Sequence, residues 1–153
     1  MPQFSTTRRV RHSAEEMFDL VADGERYPEF VPLCDELRVK SRTEKGDGIV
    51  VLVADMTVAY KLIRQTFTSR VTLDRPHMKI LVEYVSGPFR HMQNRWAFHA
   101  VGEHACDVEF FIDYEFRSRT FGMLMGTLFD TVFRRMASAF ERRADAVYGR
   151  SSA

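Results

Sequence analysis

TFGMLMGTLFDTVFRRMASAFERRADAVY, residues 120–148, is the stretch from which the rest of the chain can be read. Spaced at about 100° per residue, Phe121, Leu124, Leu128, Phe129, Val132 and Met136 fall in one arc, followed by Phe140 and Val147. Thr127, Asp130, Arg134, Glu141, Arg142 and Asp145 take the opposite arc. The pattern predicts a single amphipathic helix of about eight turns, roughly 40 Å long. Gly149 stands where a left-handed C-terminal cap belongs, and Arg142 and Arg143 complement the helix dipole. A helix this apolar on one side needs a large apolar surface to lie on.

The preceding hundred or so residues supply it, because their period is 2 rather than 3.6. In 106–116, Cys106, Val108, Phe110, Ile112, Tyr114 and Phe116 alternate with Asp107, Glu109, Asp113 and Glu115. Met92, Trp96 and Phe98 mark the strand before it, and Met78, Ile80, Val82 and Tyr84 the one before that, with Ser86-Gly87-Pro88 between. A strand is expected from about Tyr60 to Leu73, with Ile63, Phe67, Val71 and Leu73 on its apolar side, and Asp74-Arg75-Pro76 turns the chain after it. Residues 49–54 are continuously apolar and read as a strand buried on both faces. Leu37 and Val39 alternate with Arg38 and Lys40 before the turn residues Glu44 to Gly48. Nearer the start, residues 3–10 read as an edge strand. Ser13 and Glu16 form a capping box for a helix whose apolar face is Met17, Phe18, Leu20 and Val21, ended by Asp23-Gly24. Tyr27 to Cys34 holds two prolines and reads as a bent apolar connector or a very short helix.

One apolar and one polar strand face is the pattern of an antiparallel sheet solvated on one side. The expected class is therefore α+β. A curved antiparallel sheet of six or seven strands takes the long helix in its concave face, with two short helices after the first strand. At 153 residues the chain fits one domain over 1–150. A hydrophobic fraction of 45% and a net charge of +1 argue against a general nucleic-acid binder, so no DNA partner is expected. Cys34 and Cys106 make no CxxC pair, and no window approaches a membrane-spanning run. The expected setting is cytoplasmic, with any membrane contact peripheral at the inner face.

Constellations for catalysis and metal binding are missing from the sequence: the five histidines show no metal-ligand spacing, and no GxSxG, P-loop or GxGxxG occurs. His91 and His99 fall on the solvent side opposite Met92, Trp96 and Phe98; Asp113 and Glu115 share a solvated face. Cys34 reads as a small buried hydrophobe. More informative are the adaptable apolar residues Met56, Met78, Met92, Met125 and Met136, and two glycines, Gly122 and Gly126, inside the helix. Each such glycine costs about 0.8–1 kcal/mol relative to alanine. Close packing against the sheet explains them, and so does room for a ligand; both readings stay open. The apolar residues of 27–34 and 86–92 either close the core or cover the mouth of a pocket. Arg8, Arg9 and Arg11, and Arg134, Arg135, Arg142 and Arg143, form modest basic patches that suit a solvated face, anionic lipid or ribosomal RNA.

Three separated motifs then line up: YPEFVPLC (27–34), GPFRHMQNRWAF (87–98) and GMLMGTLFD (122–130). Together they resemble the coenzyme Q-binding START-domain proteins, polyketide cyclase-like proteins whose bacterial relatives include the RatA-type ribosome-association toxins. The resemblance covers nearly the whole chain. It implies a helix-grip fold around an apolar cavity that binds ubiquinone or a similar polyisoprenoid as a carrier supporting respiration, the quinone being cargo rather than a catalytic cofactor. It implies no catalytic step and no metal; its alternative is a toxin that binds a ribosomal subunit. The positions it places against the ligand are Tyr27, Phe30, Val31 and Pro32 in the connector, and Phe89, Met92 and Trp96 in the second motif. On the helix they are Leu124, Met125, Leu128, Phe129 and Val132. Val31-Pro32-Leu33 departs from the Leu-Pro-Trp usual in eukaryotic members, which removes an aromatic contact at Leu33.

Overall fold

The computed structural model describes residues 3–149, so the outermost positions of the expected 1–150 span lie outside the described residues. Strands β1 (Gln3–Val10), β2 (Cys34–Gly46), β3 (Ile49–Tyr60), β4 (Ile63–Asp74), β5 (Lys79–Ser86), β6 (Phe89–Gly102) and β7 (Ala105–Phe116) form one antiparallel sheet. Its order is β1-β7-β6-β5-β4-β3-β2, a meander from β2 to β7 with β1 added beyond β7. The chain must therefore cross from one sheet edge to the other between β1 and β2. It does so through helix α1 (Ala14–Ala22) and a 3-10 helix, Gly24–Glu29. Register shifts along β2–β3, β4–β5 and β6–β7 bend the strands, and the sheet curls.

Local chemistry explains the ends of these elements. Ser13 Oγ accepts from the Glu16 amide and Glu16 Oε1 accepts from the Ser13 amide, each at 3.0 Å, so the capping box sets the first turn of α1. Gly46, Asp47 and Gly48 all take positive φ in the β2–β3 turn. On β7 every second residue from Cys106 to Phe116 is buried, as its alternation requires. Met17 and Phe18 of α1 pack with Val10, Phe98, Cys106 and Val108 into a dense half of the core.

The C-terminal stretch corrects the expectation of one unbroken helix. It divides into α2 (Arg119–Arg134) and α3 (Met136–Tyr148), hinged at Arg135, whose φ of −99° and ψ of 0° leave the helical region. The apolar stripe passes through Met125, Phe129, Val132, Met136 and Phe140 without a change of phase, so periodicity did not mark the bend. Two long segments at an angle follow a curved sheet better than one straight rod. Ser118 caps α2 by accepting from the Phe121 amide at 3.0 Å. The second half is fastened to α1 from outside the sheet: buried His12 Nε2 lies 2.7 Å from Asp145 Oδ1, and the Tyr148 hydroxyl donates to the Glu16 carbonyl at 3.2 Å.

Two strand expectations also change. The run from Tyr60 begins in β3 and turns at Lys61-Leu62, so β4 starts at Ile63. Residues 49–54 are not buried on both faces: Leu52 and Ala54 are buried inward, while Val51 and Val53 are half-exposed on the convex side. With these corrections, a curved antiparallel sheet grips the C-terminal helical segments, the helix-grip arrangement the resemblance implied.

Candidate functional site

Above β2–β6 the sheet and the helices separate and enclose a cavity of about 150 Å³. Its floor is the concave face of the strands: Leu37, Val39, Leu52, Met56, Phe67 and Val71 at one side, Ile80, Val82, Met92 and Trp96 at the other. Its roof is Phe129, Val132, Phe133, Met136 and Phe140 of α2 and α3. No Asp, Glu, Lys, Arg or His lines it; the polar side chains are Ser69 and Asn94, the Tyr27 hydroxyl and the Cys34 thiol. Protein interiors hold few voids larger than a water. An empty cavity of this size costs about 3–4 kcal/mol at 24 cal/mol per Å³, a cost that a bound apolar molecule offsets. Apolar cavities near this volume stay dry and accept a benzene-sized ring. A larger polar cleft of about 310 Å³, lined by Asp19, Asp23, Arg42 and Arg75, lies between α1 and β3–β4. Its charged lining suits water rather than an apolar guest.

The connector closes one side. Phe140, fully buried, meets Phe30 and Tyr27 edge to face at 5.0 and 5.3 Å between ring centroids, and Trp96 at 5.0 Å. The Arg143 guanidinium lies over the Phe30 ring at 5.0 Å and pairs with Glu29, holding that carboxyl below its ordinary range. The Tyr27 hydroxyl donates to the Val21 carbonyl at 2.5 Å. Burial raises its pKa, with smaller contributions from Cys34 and Asp23. Burial, with Asp35 next, pushes the Cys34 thiol up to about 11, so at neutral pH it is a protonated wall group. Beyond Leu33, Val58 and Phe129 the walls close on a cleft among Tyr60, Ile63, Phe121 and Met125 that is too narrow to admit a water. Past it, at the β3–β4 tip and the first turns of α2, Leu62, Met123 and Leu124 are exposed.

Of the sequence-expected positions, Tyr27, Val31, Pro32, Phe89, Met92 and Trp96 line the cavity, as do Phe129 and Val132. Phe30 stands behind the wall against Phe140. Met125 is buried in the adjoining cleft, and Leu128 packs against the core outside the lining. Leu124 is 70% exposed, because the helix turns it away from the sheet. The reading passed over the walls on β2 and β3, Met56 apart, and the α2–α3 residues Phe133 and Phe140. Strand parity marks the strand walls, since Leu37 and Val39 share one phase of β2 and Leu52, Ala54 and Met56 one phase of β3. His91 and His99 lie on the convex side, His91 Nε2 3.2 Å from Asp113 and His99 Nε2 2.6 Å from Glu109. Gly122 faces the Phe116 ring, where an added Cβ would meet it at 3.4 Å, an ordinary van der Waals contact, so packing does not demand a glycine there. Gly126 faces open space. Among the described residues no group of three or more His, Cys, Asp or Glu is placed to hold a metal ion, and no helix is long and apolar enough to cross a membrane.

Comparison with known proteins bears on this geometry. The family model described as "Polyketide cyclase / dehydrase and lipid transport" matches residues 10–141. The chain is 38% identical over 149 residues to the ribosome association toxin RatA of Vibrio cholerae, covering 97% of this chain and 99% of that one. It is 29% identical to the mitochondrial coenzyme Q-binding protein COQ10 homolog B of Xenopus laevis, covering 97% of this chain and 60% of the frog protein. A START superfamily structure from Mycobacterium smegmatis matches with a TM-score of 0.78 at 20% identity, over 95% of this chain and 98% of that one. The Zhui aromatase/cyclase from Streptomyces sp. R1128 matches at 0.75 and 18%, over 94% of this chain and 93% of the cyclase. At these identities the structures bear on fold alone.

Proposed function

The chain belongs to the polyketide cyclase / dehydrase and lipid transport family, and from that premise we propose that it carries ubiquinone or a related polyisoprenoid lipid in the cavity under α2 and α3. The observation that carries this reading is the enclosed apolar space with no charged side chain in its lining. A ring, or one or two isoprene units, fits the volume as it stands; a longer chain requires the closed seam between Tyr60 and Phe121 to part. The polar groups needed for a cyclisation do not converge there, and the Cys34 thiol is held protonated, so the proposed role has no catalytic step. Leu62, Met123 and Leu124, beside Lys61 and Arg119, form the end that would touch a membrane during loading.

Mass spectrometry of protein purified without detergent tests the reading. An isoprenoid quinone should extract in near-stoichiometric amount, and added quinone should bind the emptied protein. Folded protein that neither carries nor takes up such a lipid would overturn the proposal.

A second reading is favoured by the similarity to proteins named as ribosome association toxins: that the basic surface docks on a ribosomal subunit. Arg135 at the hinge and Arg142 on α3 are exposed and form no ion pair among the described residues, whereas Arg134 is paired with Asp130. Sucrose gradients after overexpression decide this, and an unchanged proportion of joined ribosomes would count against it.

A further inference from the structure

Within the cavity wall one polar atom has no partner among the described residues. Ser69 is 5% exposed, its Oγ is buried, and it makes no hydrogen bond among the described residues. The other polar side chains there are occupied. Asn94 donates from Nδ2 to the Phe111 carbonyl at 2.8 Å and accepts at Oδ1 from Trp96 Nε1 at 3.0 Å. The Tyr27 hydroxyl is bound to Val21, and the Cys34 thiol donates weakly to the Glu36 carbonyl at 3.8 Å. A buried hydroxyl without a partner is costly and uncommon. Ser69 stands on β4 between the inward side chains Phe67 and Val71, where the apolar alternation calls for another hydrophobe. Its cross-strand partner on β3 is Ala54, also small, and on β5 it is Tyr84, so the floor is low on the β3 side of Ser69 and walled by a ring on the other.

Resting on the lipid-carrier reading above, we propose that Ser69 is the residue that orients the cargo, donating its hydroxyl hydrogen to a carbonyl oxygen of a ring seated over the Ala54–Ser69 step. A serine hydroxyl satisfies such an acceptor, and the surrounding Phe67, Val71, Val82 and Met92 supply apolar contact to the ring. This selects a carbonyl-bearing ring with a trailing chain over a plain polyprenyl chain or hydrocarbon, and it puts the ring inside and the chain outward. The apolar walls alone would not distinguish the two orientations.

Decylubiquinone and decylbenzene, ligands that share the chain and differ in the ring, provide the test. Ser69→Ala should weaken decylubiquinone about three- to ten-fold, the worth of one neutral hydrogen bond, and leave decylbenzene unchanged. Ser69→Cys, nearly isosteric and a weak donor, should show the same selective loss and serves if the alanine variant folds poorly. The carbonyl stretch of isotope-labelled decylubiquinone should lie at lower frequency in the wild-type complex than in either variant, a shift that mere loss of packing would not produce. Equal decylubiquinone affinity and an unmoved carbonyl band in a folded variant would overturn the assignment while leaving the carrier reading intact. Wild-type binding of decylbenzene but not decylubiquinone would overturn the assignment and also count against a quinone as the cargo. Wild-type protein that binds neither ligand would remove the carrier reading itself, and this one with it.

Discussion

Phe140 is the residue on which roof, connector and floor converge, since Tyr27, Phe30 and Trp96 each meet its ring within 5.3 Å. Phe140→Ala should cost about 3–5 kcal/mol in denaturant unfolding and loosen the connector, and a loss under about 1 kcal/mol would show that the wall re-collapses. The thiols make a second prediction. Cys34 and Cys106 are both raised to about 11 chiefly by burial, from an ordinary value of 9.0. Native protein at pH 8 should therefore give almost no thiol colour with Ellman's reagent until denatured. The folded state keeps these protons longer than the unfolded one, so their contribution to stability is full below about pH 9 and falls away as pH rises toward about 11. Denaturant midpoints measured across that window should drop. Much at this scale was legible: parity placed Met92, Trp96, Phe98 and the β7 residues inward, and the capping box named Ser13 and Glu16. Ser69 was hidden because a polar residue in an inward phase looks like a lapse in the pattern. The His12–Asp145 contact joins residues 133 apart, and no local signal announces it.

Among the elements, the connector behaves as a strap fastened to α3 by Glu29 and Arg143 at the surface and by Phe30 and Tyr27 beneath. Glu29→Gln should leave global stability nearly unchanged, because the carboxyl is exposed to solvent, yet quicken the release of bound quinone in stopped-flow displacement. Acid should do the same. The Glu29 carboxyl titrates lower in the folded protein than unfolded, so the contact is intact above the ordinary value of 4.5 and is lost as pH falls through the lowered one. Release rates insensitive to both changes would show that the strap does not gate the cavity. Strands were readable wherever turn residues punctuated them, as at Gly46-Asp47-Gly48 and Ser86-Gly87-Pro88. The β3–β4 hairpin was not, because Lys61-Leu62 holds neither glycine nor asparagine, and Lys61 adopts a φ of 55° without the usual chemistry for it. The bend at Arg135 escaped for the opposite reason: the apolar stripe is correct on both sides of it.

For the molecule as a whole, the sheet's curvature gathers the β3–β4 tip and the start of α2 at one end, where Leu62, Met123 and Leu124 face water beside Lys61 and Arg119. Replacing Leu62 and Met123 together with aspartate should reduce co-sedimentation with phosphatidylglycerol-containing vesicles at least several-fold and leave the melting temperature almost unmoved, since both side chains are already exposed. Undiminished co-sedimentation would move the contact to another face. The division at Arg135 reaches further. Each half of the roof has its own ladder of amide bonds, and the half over the exit is separate from the half bolted to α1. On the carrier reading, lifting α2 leaves the helical hydrogen bonds of α3 and its contacts to His12 and Glu16 in place, so guest release and global unfolding are expected to vary independently. Mutations that tighten the α1–α3 clasp should then raise the melting temperature and leave the rate of quinone release in stopped-flow displacement unchanged.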